Sequence, residues 1–278
     1  MYDNQCSVCY FFKISMNKYL IIFYTEGHPY DRGMHLRDVA FEVKEKLSEN
    51  FTDIFCYNKR DLKKIPGGDK ICNEYNKEVK IPLSNKIADK IGFYDFKPFL
   101  IKHILNETPE ESLIFWQDVN FKKYPQYWET EWDCFEKYLE HDIFVSREIL
   151  DHKLKNSLSR KFIRHFFNDS ETEMLLECWN FNAGKLLLRN TKFVRQFISE
   201  WNDLCLNKEL MLLHDEEPHR DFIFNCCDQN ILNILIYQYI QNGKLPIDFP
   251  KFYFENRTWN DMNKLSFENM INTSFLKL

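Results

Sequence analysis

The stretch that most narrows the folds open to this chain is Ser112-Leu-Ile-Phe-Trp-Gln-Asp118-Val-Asn120, a short apolar run that stops abruptly at a carboxylate. Leu113 to Gln117 carries no charge and has the length of a strand buried on both faces, as in parallel sheets covered by helices. Asp118 then stands where such a strand leaves its sheet, and in open α/β sheets that edge is where ligands bind. Asp118 and Asn120 place two oxygen-bearing side chains on one side of an extended backbone, a pair suited to a divalent metal clamped to a nucleotide diphosphate. A strand followed by an ordinary Asx turn would leave the same trace.

The surrounding chain supplies the rest of such a sheet. Lys18 to Tyr24 reads as a first central strand ending at Thr25-Glu26-Gly27. Leu36, Val39, Ala40, Val43 and Leu47 recur at helical spacing up to about Asn50. Asp53 to Tyr57 is a second strand, and β-α-β order with short connections predicts parallel pairing through right-handed crossovers. Asn58 to Asp69, basic and holding Pro66-Gly67-Gly68, reads as a surface loop. Pro98 fits the first turn of a helix running to Asn106. Lys97 would then lie near that helix start, where a cation opposes the dipole, so it marks either a nearby anionic ligand or a plain surface lysine.

Beyond the central strand, the rings between Tyr124 and Tyr138 fit core packing better than sugar stacking. Asp142 to Ser146 is a further strand, and Lys153 to His165 is a basic stretch compatible with an anionic acceptor or lipid headgroup but read as a solvated helix face. Ser170 and Glu173 have capping-box spacing. Ala183-Gly184 enters an apolar strand and permits close backbone approach. Thr191 opens a strongly amphipathic helix, and Asp228 leads another that closes at Gly243. A helix cap alone would explain Asp228. His214 to His219 reads as a solvated acidic loop, with His219 an outside candidate for metal.

Composition removes several function classes. The chain has 278 residues, 44% hydrophobic and 17% aromatic, which excludes a disordered or fibrous class. A net charge of −5 argues against general nucleic-acid binding. Nine cysteines, an odd number in a chain of this size, fit a reducing compartment. Cys6 and Cys9 have zinc-ligand spacing without a matching second pair, and Cys226-Cys227 reads as packing. No run approaches the ~18 apolar residues of a membrane span, and the start of the chain lacks a basic leader, so the expectation is a cytoplasmic protein with peripheral membrane contact left open. With seven glycines there is neither a G-x-G-x-x-G nor a G-x-x-x-x-G-K-[ST] loop, so a bound nucleotide must be held by side chains and a metal. The absence of repeats and linkers predicts one domain over residues 1–278, with 1–17 a lead-in and 246–278 a C-terminal extension.

Three segments in order, Asp118-Val-Asn120 after a strand, Phe181-Asn182-Ala183-Gly184 entering one, and Asp228-Gln229-Asn230-Ile-Leu-Asn233 on a helix, resemble the GT-A-fold glycosyltransferases. The similarity is to the glycogenin and lipopolysaccharide galactosyltransferase group, over roughly residues 18 to 245. It implies a GT-A-like, Rossmann-like mixed and mainly parallel sheet flanked by helices. It also implies a hexosyltransferase-like enzyme moving a sugar from a nucleotide diphosphate, expected to be UDP, to a glycan or glycoconjugate hydroxyl, as in polysaccharide biosynthesis. On that resemblance Tyr24 and Thr25 line the base pocket, Asp118 contacts the donor's ribose or the metal, and Asn120 takes the metal-ligand position for Mn²⁺ or Mg²⁺. Asn182, Ala183 and Gly184 lie along the donor sugar, Gln229 faces it, and Asp228 is nearest the chemistry. Lys97 is the candidate for added positive charge on the departing diphosphate. Asn120 stands where the group has a second acid, and no histidine follows His219 to match the group's metal-binding histidine, which puts metal dependence and stereochemical class in question. The rival reading is a catalytically silent module of the same fold that binds a glycan or a protein. A nucleic-acid enzyme is disfavoured by the charge balance.

Overall fold

The computed structural model describes residues 16–24, 36–73, 95–118, 142–147, 152–207, 209–210, 213, 216–223 and 227–246. Thr25, Asn120, Cys6, Cys9, Cys226, His214 and the aromatic cluster at 124–138 lie outside the described residues. Five strands form one sheet: β1 (Lys18–Phe23), β2 (Asp53–Tyr57), β3 (Leu113–Asp118), β4 (Ile143–Arg147) and β5 (Phe181–Arg189), in the order β2-β1-β3-β5-β4. β1 pairs in parallel with both β2 and β3, and β5 runs antiparallel between β3 and β4. Only β5 therefore runs against the others, giving the mixed, mainly parallel α/β sheet that the sequence predicts.

The helices are α1 (Leu36–Leu47), α2 (Lys59–Leu62), α3 (Gly68–Asn73), α4 (Phe96–Glu107), α5 (Arg160–Arg164), α6 (Asp169–Leu176), α7 (Lys192–Cys205) and α8 (Cys227–Gln241). Alternation along the central strands sorts them between two cores. Leu20, Ile22, Leu113 and Phe115 meet Val39, Ala40 and Val43 of α1 on one face. Ile21, Phe23, Ile114 and Trp116 meet α4, α7 and α8 on the other. The β1-to-β2 crossover thus carries α1 on one face and the return to β3 carries α4 on the opposite face. Strand order reverses between β1 and β3, whose C-terminal ends at Phe23 and Asp118 form the kind of switch point at which α/β sheets generally bind ligands.

β5 is irregular where it matters. Val145 pairs with Leu186 but Ser146 pairs with Asn182, so Ala183, Gly184 and Lys185 form a bulge against β4. Phe181 and Ala183, at the start of the bulge, face the larger core, and Leu186 and Leu188 face it afterwards, which is the side-chain phase change a bulge imposes. On its other side the β3–β5 register is unbroken through Gln117 and Lys185, so Gly184 lies next to the end of β3.

Three local expectations are corrected. The basic stretch from Asn58 is not a plain loop, because Asn58 caps α2: its side chain accepts from the Arg60 and Asp61 amides at 2.7 and 3.1 Å, and Asp61 accepts from the Asn58 amide at 3.3 Å. The capping box of α6 is formed by Asn168 and Glu171, two residues ahead of the Ser170 and Glu173 reading. Ser170 donates to Asn168 Oδ1 at 2.9 Å, and Glu173 pairs with Arg160 at 2.7 Å. The stretch at Lys153 to His165 is not simply solvated either. Phe162 and Ile163 are buried, while Lys155, Lys161 and Arg164 pair with Asp221, Glu216 and Glu217 and so tie down the acidic loop before α8.

Candidate functional site

Four side chains or backbone positions from four separate elements converge at the C-terminal end of β3. Asp118 is the last residue of β3, two positions after Trp116 and on the same face. Lys97 is the second residue of α4 and Asp228 the second residue of α8. The Lys97 ammonium lies 3.0 Å from Asp228 Oδ2 and 3.4 Å from Asp118 Oδ1. Gly184 comes from the β5 bulge, and a Cβ placed on it would stand 3.0 Å from Asp118 Oδ2 and 2.7 Å from Asn182 Oδ1. The absence of a side chain at Gly184 therefore keeps the space beside Asp118 open.

The electrostatics follow from burial. Lys97 is only 4% exposed, so it is not a surface lysine. Burial by itself would lower its pKa, but Asp118 and Asp228 outweigh that and raise it, so the ammonium is permanently charged. Asp228 is pushed up to about 6, because burial disfavours its charge and Lys97 offsets that only in part. Its Oδ2 receives no hydrogen bond, so the 3.0 Å contact with Lys97 is an ion pair whose alignment falls short of one. Lys97 offsets Asp228, and Asp118, 39% exposed at its side chain, is left as the carboxylate facing the crevice.

A buried amide network sets the α8 end of the site. Asn233 accepts the Phe181 amide at 2.7 Å and donates to Phe181 O, Asn180 Oδ1 and Gln229 O at 2.9, 2.9 and 2.7 Å. Gln229 accepts the Ala183 amide at 3.0 Å and donates to Asn180 Oδ1 at 3.3 Å. The Trp201 indole on α7 donates to the Asp228 carbonyl at 2.9 Å. These bonds hold the first turn of α8 against the start of β5.

Of the residues singled out from sequence, Lys97, Asp118, Gly184 and Asp228 are brought together, and Asn182 adjoins them by accepting the Gly184 amide at 2.6 Å. Three are placed differently from expectation. Gln229, expected to face the sugar, turns its amide inward to Ala183 and Asn180, and Ala183 is itself fully buried in the larger core. Tyr24 is 5% exposed, its ring set edge-on to Phe41 and its hydroxyl accepting from Asn58 at 2.9 Å, which leaves little ring face for a base. Trp116, Trp201, Asn180 and Asn233 were missed as contributors. Trp116 was hidden in an apolar run, whereas Asn230 and Asn233 inside an otherwise apolar helix stripe were a legible sign of buried polar work.

A divalent cation can be tested against this donor set. Asp118 Oδ2 is a hard oxygen donor on the crevice side, and its negative charge is not cancelled by Lys97, which lies nearer Asp228. One carboxylate of this kind fits a cation shared with a ligand's own oxygens. Among the described residues no group of three His, Cys, Asp or Glu converges to form a closed protein cage. His219 accepts the Asp221 amide at 3.0 Å and joins no such group.

No family model and no curated protein matches the chain. Among solved structures it is similar to mouse xyloside xylosyltransferase 1 in its apo form, at 13% identity, 94% coverage of each chain and a TM-score of 0.41. It is also similar to the galactosyltransferase LgtC in complex with donor and acceptor sugar analogues, at 13% identity, covering 78% of this chain and 70% of that one, with a TM-score of 0.31.

Proposed function

We propose that this chain is a glycosyltransferase that moves a sugar from a nucleotide-diphosphate donor, a UDP-sugar, to a hydroxyl of a glycan or glycoconjugate. The observation that carries the reading is the meeting of Asp118, Gly184 and Asp228 around the buried Lys97 ammonium at the sheet's switch point. One residue from each of the three motifs, far apart in sequence, lies near the others at the end of β3, which supports the reading.

The roles follow from the local physics. Departure of a nucleotide diphosphate builds negative charge, and a preoriented cation in a dry site stabilises it strongly. Lys97 supplies such a cation, held in place by two carboxylates. Asp118 Oδ2, with Asn120, would hold a divalent cation, which when bound neutralises diphosphate charge. Gly184 leaves room for a sugar beside Asp118. Asp228, buried yet kept largely ionised at neutral pH by Lys97, either takes the proton of the acceptor hydroxyl or supports positive charge on the sugar ring. The anomeric form of the product distinguishes these two roles.

Calorimetry and thermal shift with UDP, GDP and other nucleotide diphosphates, each with and without Mn²⁺, test the proposal. The expected result is metal-sensitive binding of UDP that Asp118→Ala abolishes. A chain that ignores every nucleotide would instead be the silent glycan- or protein-binding module.

A further inference from the structure

We infer that Trp116 is a positioning residue for nucleotide-diphosphate binding: its indole N–H holds one oxygen of Asp118 inward so that the other faces the crevice. The inference rests on the donor reading above and names a device within that site. A carboxylate at a strand end can rotate and exchange its two oxygens. Here both donors converge on the same one, the indole N–H at 2.9 Å and the Lys97 ammonium at 3.4 Å from Oδ1. Oδ2 is then the oxygen left beside Gly184.

The indole is itself fixed. Trp116 is 1% exposed, and Phe96 is tilted against it at 6.2 Å between ring centres while also stacking on Phe23 at 4.0 Å. The Lys97 ammonium lies 5.7 Å from the Trp116 ring centre, near enough for a cation–π attraction that adds to the pull of the carboxylates. A leucine or phenylalanine would fill this part of the core without needing a partner. A buried indole N–H needs an acceptor, and the one it takes is the carboxylate of the site. The core of the sheet is thereby joined to the orientation of Asp118.

Trp116→Phe keeps an aromatic ring and removes the donor. UDP with Mn²⁺ is titrated calorimetrically into the wild type and this variant, and both proteins are also labelled with 5-fluorotryptophan for ¹⁹F spectra. The variant should bind UDP about tenfold more weakly, the effect of losing one hydrogen bond to a charged group. In the unliganded wild type, one of the six indole resonances should move in Asp118→Asn, and the same one should move when UDP is added. That spectral readout does not depend on the stability of Trp116→Phe, and a purely structural tryptophan would not give it. Wild-type affinity in Trp116→Phe, or no indole shift in Asp118→Asn, overturns this inference alone. A wild type that binds no nucleotide diphosphate overturns the donor reading and this inference together.

Discussion

At the scale of single residues, the buried pair of Lys97 and Asp228 makes stability depend on pH in a defined direction. Asp228 has its pKa raised from 3.8 to about 6 by burial, so the folded state holds its proton more tightly than the unfolded state. Its contribution is fully present below pH 3.8 and is lost as pH rises through about 6. The melting midpoint of the wild type should therefore gain on that of Asp228→Asn as pH falls from 7 to 5, which a pH series of thermal melts measures. Lys97→Met removes the only cation contacting both carboxylates among the described residues. It should destabilise the fold at pH 7 by about 3 kcal/mol, since breaking a buried ion pair strands its partner. The loss should shrink at pH 5, where Asp228 can take a proton. Gly184→Ala should behave in the opposite way. The atoms its Cβ would meet, Asn182 Oδ1 and Asp118 Oδ2, are movable side-chain ends, so the melting midpoint should hold while UDP affinity falls.

Among the elements, the junction of β5 with α8 carries the most concentrated polar work. Asn233→Ala would strand the Phe181 amide and carbonyl in a site closed to water, an expected loss on the order of 3 kcal/mol in a denaturant titration. For α6, Asn168→Ala should cost about 1 kcal/mol and Ser170→Ala much less, because Asn168 is the residue that caps the helix. These elements also show what one-dimensional pattern could convey. β1, β3 and α7 are legible because continuous apolar runs and a 3.6-residue stripe are direct consequences of burial on two faces or one. The capping of α6 was misplaced by two residues, since Ser170 and Glu173 have the right spacing but the Ser170 hydroxyl serves Asn168 instead. The sequence marks Lys97 as a cation opposing a helix dipole and a candidate for charge on the diphosphate, but its carboxylate partners lie on β3 and α8, beyond any local pattern. Gln229 matched a motif yet turned inward, because an amide on α8 is what satisfies the Ala183 amide at the bulge. Motif spacing thus picks out Asp118, Gly184 and Asp228, which the fold brings together, while the hydrogen-bond partners that set the direction of each side chain come from tertiary packing.

Across the whole molecule, the two cores are unequal, and that sets an order of opening. The larger one joins β1, β3, β4 and β5 to α4, α7 and α8, whereas among the described residues α1 packs in the smaller one alone and leaves Phe41 46% exposed on its outer side. Local opening free energy follows the apolar contact that must be broken, so amide hydrogen exchange should be fastest among the helices in α1 and slowest in β3 and α7. The candidate site straddles the slow region: Asp118 ends the central strand, Gly184 sits in the strand beside it, and Asp228 begins a helix clasped to that strand by Asn233. A ligand that binds only the folded state raises protection in the segments it joins. UDP with Mn²⁺ should then slow exchange together at the ends of β3, the β5 bulge and the first turn of α8, and leave α1 unchanged. Protection confined to one of the three segments would mean that the carboxylates and the glycine do not act on a common ligand, whatever the distances between them.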